Sequence, residues 1–67
     1  MDTLIKQRIK FLRISRGLSQ KQLAEILSVK LSLIVSWEEG LKQPRANNII
    51  KLVRFFGVTA NYLVGLD

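Results

Sequence analysis

The chain has 67 residues, which excludes a large catalytic cleft between domains, because a chain this short buries only roughly 60% of the surface that it exposes when unfolded. It contains no cysteine and no histidine, which excludes disulfides, thiolate or imidazole catalysis and the usual zinc sites. Its 11 lysines and arginines against 5 acidic residues give a net charge of +6, which indicates a polyanionic partner, and its 48% hydrophobic content is typical of a folded chain.

The most hydrophobic stretch, residues 49–66, is interrupted by Lys51 and Arg54 and is too short to span a bilayer. The first residues lack the basic and apolar regions of a signal peptide. We therefore expect residues 1–67 to form one domain in the cytoplasm, with no membrane partner, cofactor, metal or small-molecule ligand.

The first segment of the chain carries an apolar stripe. Ile5, Ile9 and Leu12 recur at i, i+4 and i+7, which places them on one face of a helix. Gly17 follows this stripe, so we predict an amphipathic helix that ends there.

The second segment begins at a residue suited to start a helix. Ser19 is a favourable N-cap, and Gln22 three residues later completes the pattern of a capping box. Leu23, Ile26 and Leu27 then form a stripe at i, i+3 and i+4. This segment is predicted to be the second helix.

Two further helices are predicted near the C-terminal end. The next stripe at helical spacing consists of Ile49, Leu52, Val53 and Phe56. Gly57 is placed to end this helix, and Thr59 to cap a last short helix that carries Leu63.

The segment between residues 29 and 37 allows two interpretations. Its odd positions are apolar and only Ile34 is out of step, which is locally typical of a strand. These positions are Val29, Leu31, Leu33, Val35 and Trp37. No second strand-like segment exists to pair with it, and an isolated strand leaves its backbone hydrogen bonds unmet. We therefore predict a third helix.

An ordered set of residues runs through most of the chain. It consists of residues 17–27 (GLSQKQLAEIL), Ile34, Trp37, Glu38, Gly40, Gly57, Val58, Thr59, Tyr62, Leu63 and residues 65–67 (GLD). In order and spacing this set resembles the helix-turn-helix family of phage repressors and Cro proteins. The resemblance implies an all-α fold, a compact five-helix bundle of the lambda-repressor-like DNA-binding type. It also implies double-stranded DNA as partner, with the third helix in the major groove and the second across the backbone.

The resemblance assigns DNA contacts outside the third helix to four residues: Gln20, Lys42, Gln43 and Arg45. Gln20 falls in the first turn of the second helix, where free N–H groups and the helix dipole favour a phosphate. The loop residues match positions that contact phosphate, and Arg45 resembles an arginine that enters the minor groove in some members. The alternatives are an ordinary polar side chain for Gln20 and solvated loop charges for the other residues.

The base-reading positions implied by the resemblance are Lys30, Leu31, Ser32 and Ser36. Relatives usually carry Gln, Arg, Asn or Thr there, because base edges present hydrogen-bond donors and acceptors. Leu31, Leu33 and Val35 offer neither and reach at most a thymine methyl group. Two hypotheses remain open for this apolar surface: adaptation to a site rich in A·T pairs, or a protein-binding face.

Two residues before the third helix depart from the family pattern. Ser28 replaces a glycine of the turn, at a cost of about 1 kcal/mol if its φ is positive. Lys30 stands where a Ser or Thr cap is common.

Three residues match positions with structural roles in the family. Arg13 and Glu38 match a salt bridge between the first helix and the end of the third, which orients the recognition helix. Trp37 matches a position packed behind that helix, and burial is the more usual role for a large ring than base stacking.

The leading functional hypothesis is a small sequence-specific transcription regulator, a repressor, that binds operator DNA as a homodimer. Phe55, Ala60 and Tyr62 offer apolar contact near the C-terminal end for such a dimer. The alternative is an interaction module on the same scaffold, which binds another regulator through an apolar face of the third helix.

Other classes of function are disfavoured by the sequence. Glu38 and Glu39 are adjacent on a predicted helix and diverge, and Glu25 has no evident partner, so we expect no enzymatic activity. A membrane-active cationic peptide ranks last, because the caps and turns indicate a defined tertiary fold.

Overall fold

The computed structural model describes residues 2–66 of the chain. Its five helices are α1 (Asp2–Ser15), α2 (Gln20–Leu27), α3 (Leu31–Glu39), α4 (Ala46–Phe56) and α5 (Ala60–Val64). No strand occurs within residues 2–66, so the predicted all-α fold is confirmed. No helix among these five is long and apolar enough to cross a membrane.

The helix ends form where the sequence predicts them. The Ser19 hydroxyl accepts a hydrogen bond from the Gln22 backbone N–H, and the Gln22 side chain accepts one from the Ser19 N–H, which is a complete capping box. Thr59 caps α5 in the same way by accepting from the N–H of Tyr62. Gly57 ends α4 in the left-handed conformation.

The third segment is a helix in spite of its local alternation. Ile34 and Trp37 are three residues apart, on the same side of α3, and both are buried. Burial of these two large side chains against the other helices stabilises the helix over the strand, as predicted from the lack of a pairing partner.

All five helices contribute to one apolar core among the described residues. Its members are Ile5, Ile9, Leu23, Ala24, Leu27, Ile34, Trp37, Leu52, Phe56 and Leu63. Most of these residues come from the stripes predicted for α1, α2 and α4. Each of these helices is therefore amphipathic and packs its apolar face into the core.

The turn between α2 and α3 contains a strained residue. Ser28 has a φ of 57°, in the left-handed region, and its N–H bonds to the carbonyls of the last turn of α2. The N–H of Val29 also bonds to the Ala24 carbonyl, at 3.0 Å. These bonds fix the direction in which the chain enters α3.

A buried ion pair joins α1 to α3. The Arg13 guanidinium donates two bonds to the Glu38 carboxylate, from Nε at 2.6 Å and from Nη2 at 2.9 Å. The two side chains are only 11% and 3% exposed. Arg13 Nη1 also donates to the Leu18 carbonyl, and Gln20 Nε2 donates to Glu38 at 3.1 Å. This network, the Arg13–Glu38 brace, fixes the end of α3 against α1 and the start of α2.

We predict that Glu38→Ala lowers the free energy of unfolding by about 3 kcal/mol, because it leaves the Arg13 charge buried without its partner. Glu39→Ala is the matched control, since Glu39 is the adjacent glutamate on the same helix and is exposed. The control should stay within about 0.5 kcal/mol of the parent chain. Equal melting temperatures for the two variants in thermal denaturation would contradict a stabilising brace.

We predict that Ser28→Gly raises the free energy of unfolding by about 0.5–1 kcal/mol, because glycine adopts positive φ without the steric cost that serine incurs. Gly57→Ala should lower the free energy of unfolding by a similar amount. Gly57 has a φ of 69° and open space around an added Cβ, so only backbone strain is added there. Urea denaturation checks both variants, and a loss of stability in Ser28→Gly would show that the serine side chain stabilises this turn.

Candidate nucleic-acid interface

The helices α2 and α3 and the turn between them have the arrangement of a helix-turn-helix unit. Both helices anchor their inner faces in the same core, α2 through Leu23 and Leu27 and α3 through Ile34 and Trp37. Because the inner side of α3 is held in this way, its opposite side is left available to a partner.

The outward side of α3 carries the predicted base-reading residues. Ser32 is exposed and Ser36 is half-buried, and a spacing of four residues places them on one side of the helix, away from Ile34. Lys30 and Leu31 are exposed at the start of the helix. Lys30 is the N-cap residue of α3 and its side chain makes no capping hydrogen bond, so it satisfies none of the first N–H groups of the helix.

A groove of about 440 Å³ separates α3 from the loop that precedes α4. It is lined by Leu33, Trp37, Lys42, Gln43, Arg45 and Asn48. The structure thus brings the three predicted loop residues together beside α3. Pro44, buried between Gln43 and Arg45, holds the loop against the protein while its two neighbours stay exposed. Lys42 and Arg45 therefore present two cations at the edge of this groove.

Asn48 belongs to the same groove, although the sequence analysis did not select it. It lies in the first turn of α4 and is half-buried. The signal in the sequence was a polar residue in the first turn of a helix that follows a basic loop, a pattern too common to be selected alone.

Gln20, predicted to contact phosphate, makes a contact within the protein. Its side-chain amide is half-buried and donates to Glu38, so the residue is part of the Arg13–Glu38 brace. An amide nitrogen carries two hydrogens, so this bond leaves one donor for a second acceptor. The bond also fixes the side chain at the start of α2, next to the end of α3.

Two of the predicted dimer residues are partly covered by arginines, Arg8 in α1 and Arg16 directly after it. The Arg8 guanidinium lies 4.2 Å from the centroid of the Tyr62 ring and donates to the Tyr62 carbonyl. The Arg16 guanidinium lies 5.1 Å from the Phe55 ring centroid. Phe55 and Tyr62 are half-buried, whereas Ala60 is exposed.

Arg16 also satisfies the end of α4, because it donates to the carbonyls of Phe55 and Phe56 at 3.4 and 3.2 Å. The roles of Arg8 and Arg16 were not predicted from the sequence. Arg8 lies in α1 and Arg16 in the turn after it, and no pattern in the sequence distinguishes either from a solvated charge.

The three apolar residues considered as a protein-binding face of α3 do not lie together. Leu31 and Val35 are four residues apart and share one side of the helix. Leu33 is two residues from each and lies on the other flank, in the groove beside Trp37. The apolar alternation seen in the sequence is therefore divided between two surfaces.

A model of the helix-turn-helix domain family matches residues 6–66. The chain is 30% identical over 61 residues to the cryptic phage CTXphi transcriptional repressor RstR of Vibrio cholerae, covering 91% of this chain and 55% of that protein. It is 34% identical over 58 residues to the HTH-type transcriptional activator BcrR of Enterococcus faecalis, covering 87% of this chain and 28% of that protein.

A third relative is the uncharacterized HTH-type transcriptional regulator MJ0272 of Methanocaldococcus jannaschii. It is 33% identical to this chain over 54 residues, which cover 81% of this chain and 82% of that protein. The chain spans about half the length of RstR and less of BcrR. No solved structure gives a significant match. The chain belongs to the helix-turn-helix family of the phage-repressor and Cro type, whose members are DNA-binding transcription regulators.

Proposed function

We propose that this protein is a sequence-specific transcription regulator that binds operator DNA as a homodimer, with α3 in the major groove. The observation that carries the proposal is the position of the basic loop. Lys42 and Arg45 lie at the edge of the groove beside α3, so one approach of a duplex brings phosphates to the loop and base edges to the helix.

The charge of this surface supports the proposal. Lys30 at the start of α3 and Lys42 and Arg45 in the loop are all exposed. Neutralising phosphates with such side chains releases counterions from DNA, which supplies the sequence-independent part of the affinity. The Arg13–Glu38 brace fixes α3 relative to α1 and α2, so the base-reading residues of α3 are presented in a fixed orientation.

Repression is the direction of regulation that we propose, by analogy with the named function of RstR. A homodimer is proposed because two copies related by a two-fold axis read two half-sites and double the number of contacts. Phe55, Ala60 and Tyr62 are the residues proposed to contact the second copy. The family to which the chain belongs is a class of transcription regulators and not of enzymes.

Selection of bound duplexes from a random pool tests this function. Enrichment of a two-fold symmetric site supports a dimeric reader. A set of bound duplexes without a common sequence would contradict sequence-specific regulation, and a single half-site would contradict the dimer. The protein-interaction alternative through α3 is not favoured, because Leu33 is separated from Leu31 and Val35 by the geometry of the helix.

Binding to duplex DNA is predicted to weaken strongly with salt. If each subunit of a dimer places about three to five groups on phosphates, log K should fall with log salt at a slope of roughly −5 to −9. Titration of a labelled duplex at several salt concentrations measures this slope. A slope near zero would contradict a phosphate-binding role for the basic loop.

Arg45→Ala is predicted to weaken DNA binding by about 1 kcal/mol or more, with the largest loss on sites whose A·T pairs narrow the minor groove. The fold should be unaffected, because Arg45 is exposed and its side chain does not cap α4. Arg54→Ala is the matched control, since Arg54 is also exposed but lines a different groove, between α2 and α4. An equal loss of affinity on all sequences would show that Arg45 contacts phosphate and not the minor groove. An equal loss in the Arg45 and Arg54 variants would contradict an interface centred on the loop before α4.

A further inference from the structure

An aliphatic pair, Leu31 and Val35, lies on α3 outside the apolar core of the described residues. Leu31 is 45% exposed, and Val35, one turn further along the helix, is half-buried. Neither belongs to the apolar core that the described residues form, nor to the partly buried side chains packed against that core. Folding of the chain therefore does not account for leucine and valine at these two positions.

The pair belongs to the part of α3 that faces away from the protein. With Ile34 and Trp37 directed into the core, the helical turn of about 100° per residue places Val35 between the inner side of α3 and Ser32 on its outer side. Leu31 lies on the same flank as Val35. The outer surface of α3 is therefore divided lengthwise into an aliphatic strip and a strip of serine hydroxyl groups.

Base edges in the major groove differ in how they receive an aliphatic side chain. Guanine, adenine and cytosine present hydrogen-bond donors and acceptors, and thymine adds a 5-methyl group. A donor or acceptor covered by an aliphatic group loses water without gaining a partner, which is unfavourable. A methyl group in the same place gains apolar contact instead.

The serines of α3 discriminate little between bases, so discrimination falls to the aliphatic strip of Leu31 and Val35. A serine hydroxyl both donates and accepts, so Ser32 and Ser36 are able to bond to several base edges. Leu31 and Val35 form no side-chain hydrogen bonds to base edges, so they favour only the thymine 5-methyl group.

We propose that Leu31 and Val35 form a methyl-recognising surface, and that the operator presents thymine 5-methyl groups to it. This inference rests on the proposed function. Four residues of helix rise about 6 Å, close to two base-pair steps of about 3.4 Å each, so the pair is able to contact thymines that lie two base pairs apart. The class of operator that fits this surface is a thymine-bearing half-site in which the methyl groups, rather than hydrogen-bonding edges, carry the discrimination.

The test compares two forms of one duplex. The duplex most enriched from the random pool is prepared with thymine and again with deoxyuridine at the same positions, which removes only the methyl groups. We expect the parent protein to bind the deoxyuridine duplex about fourfold more weakly for each methyl group contacted. The double variant Leu31→Ala, Val35→Ala should bind both duplexes with equal affinity.

Ile14→Ala is the matched control for loss of an exposed aliphatic side chain. Ile14 is 56% exposed and lies on α1 beside Phe11, away from α3. This variant should keep the full preference for thymine. Alanine favours helix, and circular dichroism of each variant checks that the fold is retained.

The outcomes separate this inference from the proposed function. Equal binding of both duplexes by the parent protein overturns methyl recognition, while binding of the selected site leaves the regulator function standing. An unchanged thymine preference in the double variant overturns the assignment to Leu31 and Val35. Failure to bind any duplex overturns the proposed function itself.

Discussion

The orientation of α3 depends on one polar interaction, the buried ion pair between Arg13 and Glu38, in addition to its core contacts. Two charges removed from water are costly unless their hydrogen-bonding groups are satisfied. Here the guanidinium bonds to both carboxylate oxygens and to the Leu18 carbonyl, and Gln20 adds a further donor to the carboxylate. The pair therefore links α1, the start of α2 and the end of α3 in a defined geometry, which hydrophobic contacts alone specify less well.

This link matters because the other end of α3 has no comparable side-chain contact from its N-cap residue. The Lys30 side chain does not cap the N-terminus of α3, and the turn before it contains Ser28 in a left-handed conformation that disfavours serine. The helix is thus anchored by Ile34 and Trp37 in the core and by Glu38 at its end, while its first turn is left open. An open first turn beside Lys30 is suited to approach a phosphate, because its N–H groups carry the positive end of the helix dipole.

The positive charge of the chain is divided between folding and binding. Arg16 donates to the last carbonyls of α4, and Lys51 donates to the Leu27 carbonyl at the end of α2. These contacts place cations at the negative ends of helices, where they stabilise the fold. Lys30, Lys42 and Arg45 are exposed around α3, where they are available to a polyanion.

Features set by neighbours in sequence were predictable from local chemistry, whereas among the contacts between distant side chains only the Arg13–Glu38 pair was expected, and only from the family resemblance. The Ser19 capping box and the glycine that ends α4 follow from local chemistry, since each involves residues three or four positions apart. The strand-like alternation around Ile34 was resolved only by the absence of a pairing partner. The contacts of Arg8, Arg16 and Lys51 join residues 24 to 54 positions apart. Their partners are backbone carbonyls, which leave no pattern in a sequence.

The central claim is that the outer side of α3 and the loop before α4 form one DNA-binding surface. Chemical-shift perturbation of the isotope-labelled protein on addition of the selected duplex tests it most directly. The account predicts the largest changes at Ser32, Ser36 and residues 41–45, with little change at Phe11 and Ile14 on the outer side of α1. Changes concentrated on α1, with α3 and the loop unaffected, would contradict it.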